Sequence, residues 1–422
     1  MRIVMPEGWK TVAVLAIAMA PIAGCSAPKR LPAVPKALQA RAEVPGLPGV
    51  RYRAGHLDKL LADAKESFER EQAALAATGQ TGPLPPVHFL AISGGGDNGA
   101  FGAGLLNGWT ASGNRPIFKL VTGVSTGGLI APFAFLGSSR DATLKEMYTS
   151  IKQVDIMEKR YFLAALTDDA MADNRPLWRQ LEKQVNRQML DEIAAEYAKG
   201  RILLVGTTDL DARQGVIWNL TKIAESRDPR ALDLFRKIMI ASAAIPGAFP
   251  PTMIEVEVDG KRYEEMHVDG GCTAQVFVYP PSVNLAKLSR EQGIVRDRHL
   301  YIIRNARLDP DWSDVERRTL TIAQRAVGSL IQTQGMGDLY RIFATTRRDG
   351  VDFNLARIPD SFDAPHREEF DTDYMKALYD LAFSAAARGY SWEKVPPHFE
   401  DEAEAPVPEA APAPAGKPAG AS

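Results

Sequence analysis

The chain has 422 residues, 45% hydrophobic and 24% charged, a globular balance long enough for one large domain or two smaller ones. A formal net charge of −2 and the lack of any long basic run argue against a nucleic-acid partner. Two cysteines cannot build a disulfide framework, and the six histidines show no H-x-x-x-H spacing, so neither a metal nor a cofactor is expected.

Arg2 and Lys10 precede or flank an almost wholly apolar stretch, Thr11–Ala23. Roughly a dozen such residues suit the core of a signal peptide and fall short of the ~20 needed to span a bilayer. Ile22-Ala-Gly-Cys25 resembles the lipobox of bacterial lipoproteins. That resemblance implies removal of residues 1–24, lipidation of Cys25, export and membrane anchoring, with several acyl chains because one alone holds only marginally. Ser26 after the cysteine resembles an outer-membrane sorting pattern, which implies an anchored protein facing the periplasm. A plain cleaved signal with an incidental cysteine is the alternative. Residues 25–56, with Pro28, Pro32, Pro35, Pro45 and Pro48, read as an extended tether.

Leu57, Leu60, Leu61, Ala64, Phe68 and Leu75 recur at helical spacing across Asp58–Ala77, an amphipathic helix expected to pack on the domain. Residues 57–86 thus comprise this helix and the Gly/Pro linker Thr78–Pro86. Residues 87–390 show no repeat and no break in composition, and read as one domain. Val87–Ile92 reads as a strand. It is followed by Ser93-Gly-Gly-Gly-Asp-Asn-Gly99 and a helix to about Ala111. A glycine-rich turn from strand into helix presents unpaired N–H groups to an anion. Gly94-x-Gly96-x-x-Gly99 fits a dinucleotide fingerprint, which calls for an acidic residue at the end of the next strand. That strand, Phe118–Thr122, instead ends at Gly123 and Ser125, so the loop is read as an oxyanion site.

Gly123-Val-Ser-Thr-Gly127 places Ser125 between this strand and an apolar helix, Thr126–Leu136. A sharp turn there needs small residues two before and two after the serine, and it exposes the hydroxyl as a candidate nucleophile. Helices are expected over Asp141–Ile151, Pro176–Tyr197 and Arg230–Ala243, and strands over Arg201–Thr208 and Gln214–Leu220. Ala241–Pro251 forms a tight corner of small residues and prolines. Met253–Val258 and Lys261–Glu265 read as a hairpin about Asp259–Gly260. The segment His267-Val-Asp-Gly-Gly-Cys272 then offers a carboxylate before paired glycines.

Serine needs a base. The chain order Ser…Asp…His of α/β-hydrolases leaves His299, His366 and His398 as candidates, none in catalytic-loop surroundings. His267 reads as a packing residue and Cys272 as a small buried hydrophobe. The other option is a dyad, with Asp269 bonded directly to Ser125 in a dry site. Glu400–Ser422 is rich in Ala, Pro and Glu, and residues 391–422 read as a disordered tail.

Taken together, Gly94–Gly99, Gly123–Gly127, Ala241–Pro251 and Asp269-Gly-Gly271 resemble the patatin-like phospholipase family over roughly residues 87–280. The resemblance implies an α/β fold, a three-layer α/β/α sandwich with a mainly parallel central sheet. It implies hydrolysis of carboxylic esters of lipids or phospholipids through an acyl-enzyme. Ser125 is then the nucleophile and Asp269 the base, with an oxyanion hole from Gly94, Gly95 and Gly96. Asn98 departs from the family pattern, which has a basic residue there. The rivals are a Ser-His-Asp esterase and a non-catalytic envelope lipoprotein that keeps the fold.

Overall fold

A computed structural model describes residues 29–53, 57–80, 82–156, 158–159, 170, 172–308, 314–397 and 399. The expected signal peptide 1–24, the lipidation site Cys25, His398 and the tail beyond residue 399 lie outside the described residues.

The frame is a nine-stranded sheet. In chain order its strands are β1 (Arg51–Arg53), β2 (Val87–Ile92), β3 (Leu120–Val124), β4 (Ile202–Asp209) and β5 (Gln214–Asn219). Then come β6 (Thr252–Val258), β7 (Lys261–Asp269), β8 (Arg298–Arg304) and β9 (Asp352–Arg357). The spatial order is β1-β5-β4-β3-β2-β8-β9, with β7 on β4 and β6 on β7. Contacts from β4 across to β9 are all parallel, while β1, β5, β6 and β7 pair antiparallel.

The parallel strands are apolar on both sides, as burial between two helical layers requires. Leu90, Ile92, Val121, Leu203 and Val205 share one core with the helices α2 (Gly99–Ala111), α3 (Thr126–Leu136), α8 (Ala231–Ser242) and α11 (Thr372–Ala387). Between α3 and α8 run α4 (Asp141–Thr149), α5 (Arg175–Gln184), α6 (Arg187–Ala198) and α7 (Leu220–Glu225). On the opposite face Phe89, Ala91, Leu120, Leu300 and Ile302 meet Leu339, Ile342 and Phe343 of α10 (Thr319–Asp349). The long helix α1 (Leu57–Ala77) and the short α9 (Leu285–Glu291) lie on that side too. The three-layer α/β/α sandwich expected above is therefore present.

Four expectations change. Residues 29–53 are no loose tether: Val34, Leu47 and Val50 are buried, and β1 extends the sheet beyond β5. Their prolines interrupt regular structure without preventing side-chain burial. The helix expected over Pro176–Tyr197 is two helices, because the Asn186 side chain accepts the Met189 N–H and starts a new one. Residues 391–397 of the expected tail lie on the domain, where Glu393 bridges Leu355 and Trp392 packs at 4.9 Å from Trp109. Finally, β7 runs on past Glu265 to Asp269, which puts that aspartate at a strand end.

Candidate active site

The strand β3 stops at Val124 because the chain must turn into α3. Ser125 takes φ 55° and ψ −127°, a conformation costly for a residue with a side chain. The turn is possible only with glycine on both sides. A Cβ on Gly123 would lie 2.3 Å from the Gly127 carbonyl oxygen, and one on Gly127 would lie 2.2 Å from that of Ile92. Ser242, at the end of α8, braces it: its hydroxyl accepts the Ser125 N–H at 2.9 Å and donates to the Gly206 carbonyl at 2.7 Å. The Thr126 hydroxyl is bonded to Tyr148 at 2.6 Å.

Topology brings Asp269 to this turn. Val124 is the last residue of β3 to face β4, opposite Gly206. The next place on that edge of β4, opposite Thr207, is filled by Asp269, the last residue of antiparallel β7. Where one strand leaves the edge, the other arrives. The Asp269 N–H is bonded to the Ala244 carbonyl at 2.9 Å, so the small-residue corner holds it. Its carboxylate accepts the Gly271 N–H at 2.7 Å and lies near enough to the Ser125 hydroxyl to feel it. Burial pushes its pKa up to about 6, against the smaller lowering effects of the Ser125 hydroxyl and the Gly271 N–H. Next to it, burial and the Asp269 charge push the Cys272 thiol up to about 11.

The glycine-rich loop closes the site from the third side. A Cβ on Gly94 would lie 3.0 Å from the Ser125 Cβ, so loop and serine touch. Gly95 has φ 156° and its missing Cβ would be 2.0 Å from the Asn305 carbonyl oxygen; Gly96 has φ 58°. The N–H groups of Gly95 and Gly96 meet no acceptor among the described residues. Gly94, expected as the neighbouring part of the hole, turns its N–H away. Its N–H is bound to the Gln275 carbonyl at 3.2 Å, and its contribution is the close approach of a residue without a side chain.

Several residues that hold the loop carry no local sequence signal. Asn305, fully buried just past β8, donates from Nδ2 to the Ser93 carbonyl and accepts the Gly102 N–H through Oδ1. Its own N–H reaches the Ser93 hydroxyl at 2.9 Å. Asp338 of α10 accepts the Gln275 N–H at 2.7 Å. Asp97 accepts from His366 Nε2 at 2.7 Å and from the Phe370 N–H at 2.9 Å. Asn98, where the family pattern has a basic residue, accepts from the Tyr374 hydroxyl at 2.6 Å.

The histidines are elsewhere. His366 is engaged by Asp97, and His299 lies at the opposite end of the parallel strands, 3.0 Å from Asp352. His267 is fully buried between Thr207 and Glu265. Asp209, Glu265 and His267 bring three ligand-type atoms within 4.8 Å of one another. Arg51 and Arg53 already meet that charge, with ion pairs of 2.5 and 2.9 Å to Glu265 and Asp209.

Comparison with known proteins agrees on the region. Residues 90–280 match the family model for patatin-like phospholipase. No curated protein matches the chain. Among solved structures, VipD from Legionella pneumophila is 12% identical, with a TM-score of 0.34 over 72% of this chain and 67% of that one. Human GIVD cytosolic phospholipase A2 is 9% identical, with a TM-score of 0.31 over 80% of this chain and 68% of that one. Such distant likenesses carry no weight on their own; the family match and the arrangement of loop, elbow and aspartate point the same way. Over residues 90–280 this chain is thus similar to the patatin-like phospholipase family.

Proposed function

We propose that this protein is a lipid acyl hydrolase that cleaves carboxylic esters of lipids or phospholipids through Ser125 and Asp269. The observation that carries the reading is the convergence of the Ser125 hydroxyl on a buried carboxylate that has no ion-pair partner among the described residues. In the ground state Asp269 is ionised and the Ser125 hydroxyl keeps its proton. As Ser125 Oγ attacks the ester carbonyl carbon, that proton passes to Asp269 and the carbonyl oxygen becomes an oxyanion. The free N–H groups of Gly95 and Gly96 are the donors for it. Collapse breaks the bond to the alcohol, which takes the proton from Asp269 and leaves an acyl-Ser125 ester. Water repeats the sequence: Asp269 accepts its proton, the acid departs, and Ser125 regains its hydrogen.

The direct hand-off needs no imidazole. An aspartate of ordinary pKa near 4 is a weak base, and one raised to about 6 by burial is stronger and still ionised at pH 7. The test is fluorophosphonate labelling of wild type, Ser125→Ala and Asp269→Asn, followed by mass spectrometry of products from a lipid panel. Wild type is expected to label and to release fatty acid, and both variants to do neither. Labelling lost in a folded His→Ala variant would instead favour a triad. An inert wild type across the panel would favour a scaffold.

The same reading includes anchoring at Cys25, supported by the Ile22-Ala-Gly-Cys25 sequence, with the domain facing the periplasm from the outer membrane. Metabolic labelling with alkynyl palmitate should mark the full chain and not Cys25→Ala.

A further inference from the structure

Leu60, Leu61 and Phe68 of α1 enter neither core. They are only half-buried, and they front an open cavity of about 490 Å³ between α1, α9 and the sheet. Leu120 and Leu204 form its floor and Leu285 and Leu288 its far wall. The volume is that of a small-molecule site, for which about 300–1,000 Å³ is usual. The cavity opens at the N-terminal ends of the parallel strands, beside Val87, Lys119 and Ile202, whereas Ser125 stands at their C-terminal ends.

Its charge is unbalanced. Lys119, Arg296 and Arg298 all line it. Glu71 serves the first two, at 3.0 and 2.8 Å. Arg298 donates only to the Ser289 hydroxyl and the Arg296 carbonyl, and no carboxylate lies within ion-pair distance among the described residues. Asp349, which acts on it from behind, is taken by Arg348 and the Tyr279 hydroxyl. A half-buried cation in an apolar wall, lacking an anion, is costly, and an amphiphile with one carboxylate removes that cost while covering the apolar surface.

We propose that this cavity is a second lipid site, separate from Ser125, that holds one free fatty acid with its chain along α1 and its carboxylate on Arg298. A neutral lipid would leave Arg298 uncompensated. The site does not depend on the reading of Ser125, and a fatty acid is what an acyl hydrolase releases, so a filled cavity would report product.

The test is photo-cross-linking of the full-length chain with a diazirine palmitate, the labelled peptides being mapped by mass spectrometry. Label is expected on peptides of α1 or residues 283–296, unchanged in Ser125→Ala and competed by palmitate. Hexadecanol should compete about tenfold more weakly, and Arg298→Gln should weaken palmitate competition on the order of tenfold. Leu288→Trp, at the rim, should block labelling while leaving fluorophosphonate reaction at Ser125 intact, which separates filling of the cavity from misfolding. Label confined to peptides around Gly94–Asp97 or Ser125 overturns the proposal. So does an absence of label in the folded wild type, or palmitate competition indifferent to Arg298.

Discussion

Two buried carboxylates project from the same face of β7, four residues apart, and they have opposite fates. Glu265 is almost fully buried, which alone would raise its pKa, but Arg51, His267 and Arg53 overcome that and hold it well below the usual carboxylate range. Asp269 is as deeply buried and, among the described residues, is offset only by the Ser125 hydroxyl and the Gly271 N–H, so burial wins. Depth is thus no guide to role by itself. The paired carboxylate is inert and ties β1 to β7, and the unpaired one keeps the proton affinity that a base needs.

The sharpest way to break this comparison is Asp269→Asn. Activity should fall on the order of 10⁴-fold, the upper end of what a positioned general base contributes. Stability should rise. In the native state Asp269 holds its proton up to about pH 6, whereas the unfolded chain releases it near pH 4. Between those values the native state binds more protons, so raising the pH costs stability, and by pH 7 the penalty amounts to about 2–3 kcal/mol. Asparagine carries no such penalty, so thermal unfolding at pH 7 should occur at a higher temperature than in wild type. The same ionisation should give wild-type kcat/KM a limb rising with pH and centred near 6. A variant both inactive and less stable would show that Asp269 holds the fold rather than the proton.

Glu265→Gln inverts the experiment. It leaves Arg51 and Arg53 buried with less anionic charge, and breaking such a pair typically costs about 3–5 kcal/mol. Wild type should meanwhile lose the contribution of Glu265 only in acid, as the pH falls through a folded-state pKa below the usual range. Denaturant titration at pH 7 checks the loss. The fluorophosphonate reaction rate of the folded fraction should stay within about threefold, since the sites are distant enough for near-independence. A large loss of rate without loss of stability would make Glu265 part of the reaction and dissolve the contrast.

What could be read from the chain follows the range of the contacts. The elbow at Ser125 is local: glycines two residues either side are required by atoms within the same turn or in the adjacent strand, so the pattern survives in the sequence. Asp269-Gly-Gly was legible only alongside the other motifs, because its meeting with Ser125 is made by the edge of β4. Asn305 lies 212 residues from its partner Ser93 and has no motif of its own. The oxyanion loop was legible as an anion site, yet nothing local says that Gly94 spends its N–H on Gln275. Residues 29–53 misled because proline content reports backbone regularity, whereas the burial of Val34, Leu47 and Val50 depends on the remote β5 and on the β6–β7 hairpin. The later histidines stayed open for the same reason: whether a ring faces Ser125 or Asp97 is decided by how α11 and its approach pack on α2.

The smallest expected effect concerns how the strained serine is held at all. Ser242 supplies one hydroxyl to two buried backbone groups, the N–H of Ser125 and the carbonyl of Gly206. Ser242→Ala leaves both without that partner, at about 1–3 kcal/mol. The turn at φ 55° persists only while its surroundings hold it. Loosening it should misplace Oγ relative to Asp269 and to the loop donors, lowering kcat on the order of tenfold with KM unchanged, since the lipid-binding surface is untouched. Steady-state kinetics on a soluble ester, with thermal unfolding of the same samples, separates the two effects. A loss of stability with full kcat would mean that glycines 123 and 127 suffice to aim the hydroxyl. Asp269 would then be the only side chain the reactive end of β7 requires, sharpening its difference from Glu265, which needs two arginines to exist where it does.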